Sequence, residues 1–135
     1  MKDPYSPTSD EIEEWAKTRG ARYPVEDWDL VVADQGNGEL LVRIAADPTC
    51  INHDAVMNLL YVYAGQVLRE GRRASGVAEL RKAVDRAAAV AMDDLRLWAQ
   101  RSTDAIDGRG PDPRPGSDLG DYEFWFRGGW RPPSM

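Results

Sequence analysis

The residues of this chain best suited to chemistry are its one cysteine and its one histidine, which lie three positions apart. Cys50 and His53 form a Cys-x-x-His pair, and these side chains can bind zinc or act together as nucleophile and base. A structural zinc needs four ligands and a catalytic zinc usually three, but the chain has no further Cys or His. Asp47 or Asp54 would complete only a mixed site. The short spacing across a helix start favours packing for Cys50 and an N-terminal turn for His53, so the sequence predicts no metal and no cofactor.

The chain also carries 23 Asp and Glu residues, some of them in adjacent pairs. The pairs Glu13-Glu14 and Asp93-Asp94 lie at predicted helix starts or on hydrated helix faces. General acid–base catalysis instead requires desolvated carboxyl groups that face each other in a pocket. No GxGxxG, GxxxxGKS/T, GxSxG or HExxH motif occurs in the sequence. These features predict that the protein is not an enzyme.

The negative charge is concentrated in the first half of the chain. Residues 1–60 hold twelve Asp/Glu and five Lys/Arg, a net of −7, whereas residues 61–135 hold eleven and twelve, a net of +1. This balance disfavours nucleic acid and anionic membranes as ligands, because phosphate binding needs clustered Lys and Arg. Clustered carboxylates instead attract a protein with a basic surface, and tryptophans can anchor such an interface. The predicted partner-binding residues are Glu11, Glu13, Glu14, Trp15, Glu26, Asp27, Trp28 and Asp29.

Hydrophobic periodicity predicts an all-α fold of five to six helices. Thr8 and Glu11 have the spacing of a capping box, and Asn52 is the predicted N-cap of the strongest helix. Asp93-Asp94 predicts a further helix start. Residues 28–44 leave an alternative open, because their valines and an Asn-Gly turn also fit a β-hairpin. Neither flank alternates apolar and polar residues, which favours two helices over the hairpin.

The domain organisation follows from composition. Residues 1–107 are predicted to form a single helical domain, 108–120 a Pro/Gly linker, and 121–135 an aromatic segment. We expect the aromatic segment to pack on the helices, with a role as a partner anchor as the alternative. The single cysteine, the lack of a signal-like N-terminus and the lack of a long apolar run predict a cytoplasmic protein. The oligomeric state is left open.

Three segments carry a resemblance to known proteins: AADP at 45–48, LYVYAG at 60–65 and LRLWA at 95–99. Over residues 25–105 the chain resembles small actinobacterial proteins built from HEAT- or armadillo-like helical pairs, although it shows no regular repeat period. This resemblance implies an irregular bundle of antiparallel helical pairs. Small acidic proteins of this style resemble immunity proteins that neutralise secreted polymorphic toxins. The resemblance therefore implies an inhibitor whose acidic N-terminal face binds a basic toxin, for example a nuclease.

Two other functions remain open at this stage. The protein could be a helical adaptor or scaffold in a larger assembly, with its acidic residues serving only solubility. It could also be a small ligand-binding protein or enzyme with a pocket near Tyr61, Tyr63 and Trp98. Aromatic residues at helical spacing are more typical of a core than of a pocket lining.

Overall fold

The computed structural model describes residues 1–69 and 74–109. Within these two ranges the chain forms helices and turns, with no strand. The elements are α1 (Ser9–Lys17), α2 (Trp28–Asp34), α3 (Gly38–Ala46), α4 (His53–Arg69), α5 (Ala74–Ala88) and α6 (Asp93–Ile106). The predicted all-α class is confirmed. Because α2 and α3 occupy most of residues 28–44, the hairpin alternative is wrong.

The first helix begins at the predicted capping box. Thr8 Oγ1 accepts a hydrogen bond from the Glu11 backbone N–H at 3.2 Å, and the Glu11 carboxylate accepts one from the Thr8 N–H at 2.9 Å. These two bonds satisfy donors that an uncapped helix would leave without partners. Ile12, Trp15 and Ala16 form the buried side of α1.

Helix α4 lies at the centre of the bundle and contacts each of the other five described helices. Residues 55–65 are buried without interruption, so this helix has no solvent-facing side over three turns. In a solenoid each repeat would contact only its neighbours. The described part of the chain is therefore an irregular bundle around one central helix, and its buried apolar residues form one continuous core.

Asn52 joins the start of α4 to the end of α1. Its backbone carbonyl accepts the Val56 N–H at 3.0 Å, as expected of an N-cap residue. Its side-chain amide, however, donates to the carbonyls of Trp15 and Thr18 at 3.0 and 2.7 Å, and its backbone N–H donates to Ala16. These bonds satisfy carbonyls at the C-terminus of α1. They also fix the position of His53, the first residue of α4.

The predicted helix start at Asp93 is confirmed, because α6 begins there after a short connection from α5. Two aspartates in its first turn suit the positive end of the helix dipole. Among the described helices, none combines the length and apolarity that crossing a bilayer requires. The part of the predicted linker that follows residue 109 lies outside the described residues, and so does the aromatic segment 121–135. Both stay predictions.

Candidate functional site

Two of the predicted partner-binding carboxylates on α1 have structural partners within the chain. Glu11 closes the capping box, and hydrogen bonds from the backbone of Thr8 and Lys2 lower its pKa. Glu13 accepts hydrogen bonds from Lys17 at 3.3 Å and from Arg43 on α3 at 3.4 Å, and these partners lower its pKa. Lys17 also pairs with Asp47 at the end of α3, at 3.3 Å. Glu13 therefore helps to link α1 to α3, while its side chain stays 27% exposed.

The two predicted tryptophan anchors, Trp15 and Trp28, lie in the hydrophobic core. Trp15 is 8% exposed and Trp28 is fully buried. With Tyr23 they form an aromatic cluster in which the Trp15 and Trp28 ring centroids are 4.8 Å apart and each lies 5.8 Å from Tyr23. Trp15 Nε1 donates to the Arg22 carbonyl at 2.9 Å. This cluster joins α1 to α2.

Four predicted partner-binding residues remain, which we call the acidic surface: Glu14, Glu26, Asp27 and Asp29. Glu14 precedes Trp15 in the sequence, and Asp27 and Asp29 flank Trp28. Because the two tryptophan rings are in contact, these two segments of the chain lie close together. On α1, Glu14 is exposed, whereas Glu13 contacts Arg43 on α3. Within the described part of the chain, none of the four makes an ion pair.

Asp29 is the most perturbed member of the acidic surface. Its side chain is half-buried, and this burial raises its pKa, with a further contribution from the charge of Asp27. The Leu30 N–H donates to its Oδ1 at 2.8 Å, which offsets part of the shift. Burial also raises the pKa of Tyr23, and the charge of Asp29 adds to that rise. Asp27 has a left-handed backbone, with φ of 60°.

Cys50 and His53 do not form a nucleophile pair. The Cys50 thiol is 7% exposed and lies 3.7 Å from the Ala16 carbonyl, and burial raises its pKa. His53 Nδ1 lies 2.9 Å from the Ala45 carbonyl, and Nε2 lies 2.5 Å from Asp94 Oδ2. Both ring nitrogens are therefore occupied by groups other than the thiol. The prediction that Cys50 packs as a small apolar side chain is confirmed.

Sequence reasoning missed the contact between His53 and Asp94, which lies 41 positions away. Both residues stand in the first turn of a predicted helix, but nothing local indicates that these two helix ends meet. A cavity of about 450 Å³ opens beside them, lined by Asp47, Pro48, Cys50, His53, Met92, Asp93 and Asp94. Tyr61, Tyr63 and Trp98, near which the alternative pocket was predicted, are at most 1% exposed and belong to the hydrophobic core.

Comparison of the chain with protein-family models, with curated proteins and with solved structures finds no match.

Proposed function

We propose that this protein binds a basic protein partner through the acidic surface of Glu14, Glu26, Asp27 and Asp29, as an immunity-like inhibitor does. The observation that carries the proposal is that these four carboxylates make no ion pair within the described part of the chain, although one of them, Asp29, is half-buried. Asp29 lies close to other negative charges and has no paired cation in the described chain. A carboxylate in this situation gains the most stabilisation from a cation that a partner supplies.

The aromatic cluster beneath the acidic surface supports this proposal. Buried rings of Trp15, Tyr23 and Trp28 hold the carboxylates on packed elements, so little conformational entropy is lost when a partner docks. Unpaired surface charges of one sign also steer a partner of the opposite sign and raise the association rate. The role of the tryptophans in this proposal is to support the surface from below.

The proposal is tested by reversing charge on the acidic surface and, separately, elsewhere. The test variant is Glu14→Lys with Glu26→Lys. The matched control is Glu79→Lys with Asp85→Lys, two exposed positions on α5. Both double variants change the net charge by the same amount, from −6 to −2. Each is immobilised and used to capture proteins from a lysate of the native host.

We expect a basic protein that is retained by the wild type and by the α5 control but lost with the acidic-surface variant. Its association rate with the wild type should fall at least tenfold between about 0.05 and 0.5 M salt. A flat salt dependence, or equal capture by both double variants, would remove the acidic surface from the binding site.

A growth assay of cells that express the captured partner distinguishes an inhibitor from an adaptor. If the partner is toxic when expressed alone and harmless with the wild-type chain, the protein is an inhibitor; a harmless partner indicates an adaptor.

Asp29→Asn is expected to stabilise the fold while weakening the partner complex. Because the folded-state pKa of Asp29 is raised, its ionisation opposes folding, and this effect grows as the pH rises from the unfolded toward the folded pKa. The substitution should therefore raise Tm at pH 7 and leave it nearly unchanged near pH 3. Asparagine keeps an Oδ1 acceptor for the Leu30 N–H. Thermal unfolding of both proteins across this pH range measures the difference.

The control for this prediction is Asp85→Asn, which removes the same charge from an exposed position on α5. We expect its Tm to follow that of the wild type at both pH values, since isolated surface substitutions change stability by less than about 0.5 kcal/mol. A lower Tm for Asp29→Asn at pH 7 would show that the charged carboxylate stabilises the free protein. The argument from its raised pKa would then fail.

A further inference from the structure

The first turns of α4 and α6 bring together three side chains that can bind a metal ion. His53 and Asp54 come from α4 and Asp94 from α6, and one ligand atom of each lies within 4.8 Å of the other two. The sequence expectation of no metal site rested on the pairing of His53 with Cys50. The fold replaces the thiol, which contacts the Ala16 carbonyl, with a carboxylate from a distant helix.

The imidazole of His53 is oriented as in a metal-bound histidine. The Ala45 carbonyl can only accept a hydrogen bond, so Nδ1, 2.9 Å away, carries the proton. In the neutral ring Nε2 then presents its lone pair to Asp94 Oδ2 at 2.5 Å. A backbone carbonyl bound to the second ring nitrogen is the usual support of a histidine ligand.

The carboxylate of Asp94 is oriented in the same way. Its Oδ1 accepts the Leu95 N–H at 2.8 Å, which leaves Oδ2 directed at the imidazole. Nε2 and Oδ2 therefore face each other at close range, and a positive particle between them stabilises this arrangement. A proton and a metal cation are the two particles that meet this need. Asp54 adds a second carboxylate, whose ligand atom lies within 4.8 Å of the other two.

We propose that His53 Nε2, Asp54 and Asp94 Oδ2 form a site for a divalent transition-metal cation of the zinc class. One imidazole with two carboxylates is a donor set that Zn²⁺ accepts, with water as the fourth ligand. The adjoining cavity of about 450 Å³ gives access to the site and space for that water. The ion fastens the N-terminus of α6 to the N-terminus of α4, the central helix.

The proposal requires a small local adjustment. Tetrahedral zinc with bonds of about 2.0–2.2 Å holds two ligand atoms roughly 3.3–3.5 Å apart. His53 Nε2 and Asp94 Oδ2 lie 2.5 Å apart. They must therefore separate by about 1 Å. Both side chains are partly exposed, at 27% and 20%, so a rotation of the aspartate provides this shift without moving the core.

Because the chain has one histidine, its ring nitrogens give an unambiguous NMR signal. Protein treated with EDTA is titrated with ZnCl₂, with MgCl₂ as the comparison, and followed by long-range ¹H–¹⁵N spectra and by thermal unfolding. We expect one zinc per chain, a shift of Nε2 with the proton retained on Nδ1, and a Tm higher by several degrees. Magnesium should leave both readouts unchanged, because it prefers all-oxygen ligands.

Variants locate the ligands. His53→Gln and Asp94→Asn should weaken zinc binding at least tenfold, whereas Asp93→Asn, a neighbour with the same charge, and Cys50→Ser should bind as the wild type does. An unchanged Nε2 signal in tenfold excess zinc would overturn the proposal and leave a proton shared by His53 and Asp94. Equal zinc binding by Asp93→Asn and Asp94→Asn would overturn it too. The spectrum of the wild type decides the question even if His53→Gln fails to fold.

Discussion

Replacing Trp28 with alanine is expected to lower the free energy of unfolding by about 3–5 kcal/mol, the range for removing a buried aromatic side chain. Trp28 is fully buried and its ring contacts those of Trp15 and Tyr23. The substitution therefore opens a cavity in the cluster that joins α1 to α2. Since small domains are stable by about 5–15 kcal/mol, this loss is a large part of the total. Chemical denaturation at equilibrium measures it.

Two further variants make this result specific. Leu30→Ala lies on the same helix, but the leucine is 40% exposed, so its loss should cost less than about 1 kcal/mol. Trp28→Phe should cost less than Trp28→Ala, because Nε1 of Trp28 has no hydrogen-bond partner among the described residues and phenylalanine keeps part of the ring contact. If Trp28→Ala unfolds with the wild-type midpoint, the ring is not part of the core and the original assignment as a surface anchor returns.

The elements of the fold that could be predicted are those specified by neighbouring residues. The capping box at Thr8 and the helix start at Asp93 each depend on side chains within one turn, and both are found where the sequence placed them. The two helices over residues 28–44 followed from the lack of alternation. Hydrophobic period decides helix or strand locally, so these predictions need no knowledge of the tertiary fold.

The contacts that the sequence does not predict join distant segments. Glu13 pairs with Arg43, which lies 30 positions away on α3. The same holds for His53 and Asp94, which no local spacing connects. A charge run predicts only that carboxylates are abundant. The packing of the helices decides which carboxylates pair within the chain and which remain available to a partner.

The tryptophans are a different case, because the sequence contained the correct signal. Ile12, Trp15 and Ala16 form one stripe at helical spacing, which indicates the buried side of a helix. The general enrichment of tryptophan at interfaces gives no information on which side of the helix is buried. The burial of Trp15 and Trp28 in the core agrees with this periodicity.

Gly38→Ala is expected to destabilise the fold by about 1–3 kcal/mol, the usual effect of overpacking a core. Gly38 is the first residue of α3, and alanine at a helical position normally adds roughly 0.5–1 kcal/mol of stability. Here a Cβ would lie 2.7 Å from Cζ and 2.8 Å from the hydroxyl oxygen of Tyr63, closer than van der Waals contact allows. Tyr63 is 1% exposed in the central helix, so its ring cannot move aside freely.

A double-mutant cycle with Tyr63→Leu tests this cause. Removing the ring should relieve the overlap, so Gly38→Ala should cost at least 1 kcal/mol less in the Tyr63→Leu background. The Tyr63 hydroxyl has no hydrogen-bond partner among the described residues, so its loss adds no broken bond to the cycle.

Gly76→Ala on α5 is the matched control. Among the described residues its Cβ would meet only Val67, at 3.5 Å, which is an ordinary contact, so the substitution should stabilise the protein. If the changes in the free energy of unfolding are additive, the effect of Gly38→Ala does not come from Tyr63. Helices α3 and α4 would then be less closely packed at this point than the distances between Gly38 and Tyr63 require.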